Sequence, residues 1–180
     1  MFKCSKYKKL KSDYQQLEKE YNKLESRLVS LLWEKEKFDL ANKLLEKYQI
    51  LGVVENKQKH KYYVCLATSD KNVNIFLRDS RQVNHNPRIY TEILNDNNNS
   101  KEMYCHIIDM FAVCENIGNG SILLDYLFRY LEKMGIKKVI GELSSVDKVN
   151  YDKLEFFYKK NGFKVTFNTH KTGGTIKKIL

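Results

Sequence analysis

From Tyr7 to Phe38 the apolar side chains recur every seven residues: Tyr7, Tyr14, Tyr21 and Leu28 at one position, and Leu10, Leu17, Leu24, Leu31 and Phe38 three residues further on. That is the a/d seam of a coiled coil. Most positions between are Lys, Glu, Gln, Asp or Asn, and the segment holds neither Gly nor Pro, so propensity and pattern agree on one unbroken helix. So narrow a stripe cannot bury itself and needs a second chain or the rest of its own molecule. We expect residues 1–51 to form a coiled-coil arm that makes the protein a homo-oligomer, in the simplest case a dimer, through residues 7–38. Docking of another protein or of nucleic acid is the alternative use of such an arm. Tyr at three successive a positions brings bulky rings whose hydroxyls need water or a partner, which leaves strand number and orientation open. Past Phe38, Leu40, Ala41, Leu44, Leu45 and Tyr48 make a broader face suited to packing on a following domain, and Gly52 is the expected helix stop.

At 180 residues the chain has room for this arm and one ordinary domain, residues 52–180. No run approaches the roughly 18 to 20 apolar residues that span a bilayer, and Met1 to Lys6 lead into charge without a signal-peptide core. The expectation is a cytoplasmic protein with no membrane partner. Cys4, Cys65, Cys105 and Cys114 lie at wide, irregular spacings with no His at ligand distance, so thiols are expected and no metal site. A formal charge of +10 attracts anions, including nucleic acid, but the Lys and Arg residues are mostly interleaved with acids, the pattern of a solvated surface. Nucleic-acid binding through the basic arm is not the favoured reading, and it predicts an affinity that collapses with salt.

Lys61 to Thr68, Asn72 to Arg78 and Arg88 to Leu94 read as strands, simplest as an antiparallel meander. Asp79 to Pro87 and Asn95 to Ser100 read as loops; Arg81, His85 and Arg88 of the first are explained by a solvated loop, the alternative being contact with an acidic substrate. Met103 to Val113 reads as a long strand. A short link, Cys114 to Ser121, follows with glycines at 118 and 120, and then an amphipathic helix carrying Ile122, Leu123, Leu124, Tyr126, Leu127 and Leu131. Strand, glycine turn and helix N-terminus make an anion cradle: the first helical turn has unpaired amides and the positive dipole end, and glycine lets a phosphate approach. Ser121 adds a hydroxyl. Alone, this signal is weak.

Beyond Met134-Gly135 come a strand at Lys137 to Leu143, a second helix, and Phe156-Phe157-Tyr158-Lys159-Lys160-Asn161-Gly162-Phe163. This order resembles the core of the GNAT family of N-acetyltransferases, well over residues 101–168 and only by strand count over 52–100. The resemblance implies an α/β (α+β) fold, a mixed, mostly antiparallel central sheet flanked by helices, here preceded by the coiled-coil helix. It implies acetyl-CoA as co-substrate and transfer of its acetyl group directly to a primary amine. It also implies that the loop Asn116, Ile117, Gly118, Asn119, Gly120 and Ser121 wraps the CoA pyrophosphate, that the strand end with Phe111 and Val113 pairs with the pantetheine arm, and that Asn150 contacts CoA, although an N-cap accounts for Asn150 equally. Glu115 stands where the family usually has Gln or Arg, the link after Val113 is short, and the family's early strand is not evident because the arm takes its place.

By the same resemblance Tyr158 is the acid that protonates the departing thiolate; its alternative is a core aromatic beside Phe157. For the base, Asp109 and Glu142 are the acids nearest the expected cleft. Simple strand alternation puts Asp109 on the face of Ile107 and Phe111, hence buried or paired, and His106 on the other face. Cys114 has no evident His or Asp partner and is read as incidental. The rival reading is a non-catalytic GNAT-like interaction module that assembles through its coiled coil.

Overall fold

The computed structural model describes residues 2–79, 86–96 and 99–180, the side chains of residues 2–6, 8 and 99–101 excepted. Arg81 and His85, whose alternative use is contact with an acidic substrate, lie outside the described residues. The chain divides into two compact units, Met1–Lys43 and Leu44–Leu180. The first belongs to α1 (Phe2–Leu45), a 44-residue helix. Its seam residues, from Tyr7 to Phe38, are each more than half exposed. No helix of the described residues is long and apolar enough to cross a membrane.

The second unit is a mixed α+β domain built on an eight-stranded sheet. Its strands are β1 (Gln49–Glu55), β2 (Lys61–Thr68), β3 (Val73–Arg78), β4 (Arg88–Asp96), β5 (Asn99–Phe111), β6 (Lys138–Leu143), β7 (Lys164–Phe167) and β8 (Gly174–Ile179). The spatial order is β1-β2-β3-β4-β5-β6-β8-β7. Every pairing is antiparallel except β5–β6; β2, β3 and β4 form the expected meander, which β1 and β5 extend at its two ends. The helix α2 (Asn119–Lys133) bridges the parallel pair, and a 3-10 turn (Ser145–Asn150) leads into α3 (Tyr151–Lys160).

Two expectations at the front of the domain are corrected. Gly52 does not end α1; the helix stops at Leu45, and Gly52 lies within β1, next to a register shift between Ile50 and Gly52. The strand was hidden because Gln-Ile-Leu-Gly-Val-Val-Glu alternates poorly, its alternation broken by that extra residue. Of the broad face expected after Phe38, Leu44 is buried and Tyr48 stacks on Phe76 with ring centroids 5.4 Å apart, but Leu45 is exposed. The tip expected at 95–100 is shorter, because β4 runs to Asp96 and β5 begins at Asn99.

The core lies on one face of the sheet. Tyr62, Val64, Leu66, Ile75, Leu77, Ile89, Ile107, Val139 and Ile176 are buried there with Leu123, Leu124, Leu127 and Leu131 of α2 and Tyr151 and Tyr158 of α3. The four leucines make a helical stripe at i, i+1, i+4 and i+8, and each contributes about 2 kcal/mol by burial. The opposite face carries a row of rings and guanidiniums across the meander. Phe76 lies 5.8 Å from Tyr90, Tyr90 6.4 Å from Phe111, and the Arg88 guanidinium 4.1 Å above Phe111.

Candidate functional site

The parallel pair is short. Cys105, His106 and Ile107 pair with Val139, Ile140 and Gly141, and from Ile108 onward β5 keeps only β4, while β6 runs on beside β8 to Leu143. The β6-facing edge of residues 108–111 therefore has no strand partner among the described residues. This open edge lies at the carboxyl ends of parallel strands, where α/β sheets form their ligand crevices.

A bulge sits at the same place. Tyr90 pairs with Asp109 but Thr91 with Ile107, so Ile108 is the extra residue. It shifts the alternation and corrects two expectations. Asp109 leaves the buried Ile107 face and stands exposed on the face of Tyr90 and Phe111, its Oδ1 accepting from the Met110 amide at 2.7 Å. His106, paired with Glu92, consequently shares that face with Asp109 instead of opposing it.

Beyond Phe111 the backbone turns sharply. Cys114 N–H donates to Ala112 O at 2.9 Å across Val113, which has φ 68°, and Asn116 has φ 62°. A β-branched residue at positive φ is costly and persists only where its surroundings impose it. Here they do. The Asn119 side chain, itself buried, donates Nδ2–H to Ala112 O at 3.1 Å and accepts from Asn56 Nδ2 at 3.1 Å. Asn56 is fixed in turn because its Oδ1 accepts from the Gln58 and His60 amides, and the Lys57 amide donates to Ile117 O at 3.0 Å. The β1–β2 turn thus clamps the loop onto the start of α2. Nothing in the sequence near 118 announces this, since Asn56 lies 63 positions away.

The two loop glycines have different reasons. Gly118, at the α2 N-cap, has φ 91°, in the left-handed region that L side chains disfavour. Gly120 is a packing glycine: a Cβ there would lie 2.9 Å from Phe157 Cζ, where α3 crosses α2. α2 starts without a side-chain cap, and the amides of Asn119, Gly120 and Ser121 find no acceptor among the described residues. Three such donors at the positive end of a 15-residue helix are the groups that a helix N-terminus can offer to an anion. The Lys57 stem runs beside Gly118, its Cγ, Cδ and Cε 3.6–4.0 Å from where a Cβ would be, and Lys57 makes no ion pair among the described residues. Glu115 does not face the loop unopposed: its Oε2 pairs with Lys153 Nζ of α3 at 3.1 Å, both groups well exposed. Ser121 opens onto a depression of about 360 Å³ lined also by Asp125, Phe128, Lys160 and Lys178.

Tyr158 is 6% exposed, with its ring edge-on to Phe157 and Phe163 at 5.1 and 5.4 Å. Burial, reinforced by the carboxylates of Asp109 and Asp147, pushes its phenol up to about 12. Its hydroxyl makes no hydrogen bond among the described residues. Asn150 occupies the α3 N-cap position but its side chain forms no capping bond. Phe111 and Val113 are exposed, and Cys114 and Glu142 likewise. Cys65 and Cys105 are buried, which raises both thiols to about 11.

No protein-family model matches the chain, and no curated protein matches it. Solved structures resemble it at low identity. An acetyltransferase from Thermus thermophilus is 12% identical, with a TM-score of 0.41, over 63% of this chain and 67% of that one. A protein from Desulfovibrio desulfuricans, described as a candidate acetyltransferase of the GNAT family, is 16% identical, with a TM-score of 0.44, over 61% and 68%. A candidate streptothricin acetyltransferase from Bacillus anthracis, solved with acetyl coenzyme A, is 15% identical, with a TM-score of 0.44, over 73% and 82%.

Proposed function

We propose that the Leu44–Leu180 unit is a GNAT-like N-acetyltransferase that moves the acetyl group of acetyl-CoA directly to a primary amine. The observation that carries this reading is the set of unpaired Asn119, Gly120 and Ser121 amides beside the open edge of β5. The residues present fit the co-substrate. The amides and Lys57 suit a diphosphate, and the β6-facing edge of 108–111, which has no strand partner among the described residues, suits an amide-bearing pantetheine arm. The Asn119 side chain is committed to the loop, so only its backbone is offered, while Asn116, Ile117 and Gly118 act as the shaped wall. Asn150 stands at the start of α3, with its side chain unused as a cap, and is kept as a CoA contact.

Acetyl-CoA supplies an acyl group activated as a thioester. The attacking amine forms the C–N bond as the C–S bond breaks; the amine loses a proton and the sulfur gains one. Asp109, exposed on the face of Tyr90 and Phe111, takes the amine proton directly or through water. Tyr158 serves the sulfur. A phenol at about 12 is a weaker acid than a thiol near 8.5, so full donation is uphill. Tyr158 therefore acts chiefly as a hydrogen-bond donor that stabilises the departing thiolate, which takes its proton from solvent.

Titration calorimetry with acetyl-CoA, then thiol release over a panel of amines, tests the reading. Binding with turnover supports it. Binding without turnover points to the non-catalytic module, and no binding at millimolar acetyl-CoA overturns it.

A further inference from the structure

The arm carries its charges in a pattern that selects one pairing geometry. With Tyr7 at a and Leu10 at d, the positions flanking the seam are Lys11, Glu18, Glu25 and Leu32 at e, and Asp13, Glu20, Arg27 and Glu34 at g. In two parallel, in-register helices each g residue faces the partner's e residue five positions on. That arrangement sets Asp13 against Glu18, Glu20 against Glu25 and Glu34 against Asp39, each twice by symmetry, and leaves Arg27 opposite Leu32. Every one of these charged pairs repels. It also stacks Tyr7, Tyr14 and Tyr21 on their own copies, ring against ring.

Turning one helix around reverses both faults. About a two-fold axis at Lys19, Tyr7 meets the partner's Leu31, Tyr14 the partner's Leu24, Tyr21 the partner's Leu17 and Leu28 the partner's Leu10. Every a and d residue from 7 to 31 finds a partner, and each Tyr ring lies beside a Leu. On the flanks Asp13 meets the partner's Arg27 and Lys11 the partner's Glu25, each twice; only Glu18 and Glu20 meet their own copies, once each beside the axis. Slipping one heptad one way brings Asp13 to the partner's Glu34 and Lys35 into the seam. Slipping the other way brings Asp13 to the partner's Glu20 and strands Leu31.

We propose that α1 pairs antiparallel with α1 of a second copy of this chain, about a two-fold axis at Lys19. The seam residues that would be covered are each more than half exposed in the single chain, and the pairing stands independently of the catalytic reading.

The test uses the full chain. In a background with Cys4 and Cys114 changed to Ser, Tyr14→Cys and Leu24→Cys chains are oxidised mildly, separately and mixed, beside sedimentation equilibrium of the unaltered protein. The unaltered protein should sediment as a dimer, and a disulfide-linked species should form in the mixture alone. Self-linking of either chain, or a monomeric mass, overturns the proposal. A charge swap checks it without touching the seam. Arg27→Glu should weaken the dimer by roughly tenfold, because two attractive contacts become repulsive, and Asp13→Arg in the same chain should restore it. Indifference to Arg27→Glu, as a parallel pair requires, overturns it too.

Discussion

Tyr158 is where sequence and structure differ most usefully. Its place in Phe-Phe-Tyr-Lys-Lys-Asn-Gly-Phe suggested an acid of ordinary strength, and the folded chain makes it a phenol that does not ionise in the working range. Tyr158→Phe removes the hydroxyl and keeps the ring between Phe157 and Phe163, so acetyl-CoA affinity should hold while kcat falls on the order of a hundredfold. Loss of affinity in the calorimeter would show a structural role instead. The raised phenol also bears on stability. Its contribution is complete below the unfolded value near 10 and is lost as pH rises toward 12, worth about 2–3 kcal/mol. The raised thiols of Cys65 and Cys105 act in the same sense between about 9 and 11. Urea midpoints should therefore fall from pH 9 upward, and less steeply in Tyr158→Phe. The same burial sets reactivity. Cys114, exposed, should label rapidly with a maleimide, and Cys65 and Cys105 only on unfolding, with peptide mass mapping as the readout.

Among the elements, α2 joins the core to the loop through two glycines of opposite kind. Gly118→Ala forces an L side chain to φ 91° and should cost about 1 kcal/mol while loosening the loop; Gly120→Ala drives a methyl into Phe157 and should separate α2 from α3. Both should weaken acetyl-CoA binding, but only Gly120→Ala should shift the near-ultraviolet circular dichroism of the aromatic cluster. Leu127→Ala, at a site with no exposure, should destabilise the domain by about 2–5 kcal/mol in a urea titration. Lys57 belongs to this scale as well, because the β1–β2 turn carries it to Gly118. Lys57→Ala should raise the dissociation constant for acetyl-CoA severalfold and leave thermal stability unchanged.

At the scale of the molecule, the buried hydrophobic core of the described residues lies within Leu44–Leu180. A chain beginning at Leu44 should melt in one cooperative transition, which differential scanning calorimetry would report. The heptad stripe of α1, the meander from β2 to β4 and the strand-glycine-helix link were legible from residue order alone, because heptads, alternation and helix stripes are local periodicities. β1 was not, since a bulge breaks its alternation, and the phase of Asp109 and His106 was lost to a second bulge at Ile108 for the same reason. The sequence by itself determined neither β1 nor the end of α1, but it did determine the long helix of the arm, the strands β2 to β6, the helix α2 and the glycine link before it. Only the tertiary structure decided what fills that neighbourhood: Asn56 and Lys57 from a distant turn, Lys153 neutralising Glu115, and a phenol stripped of water. Contacts between residues tens of positions apart, and the desolvation they cause, leave no periodic trace along the chain.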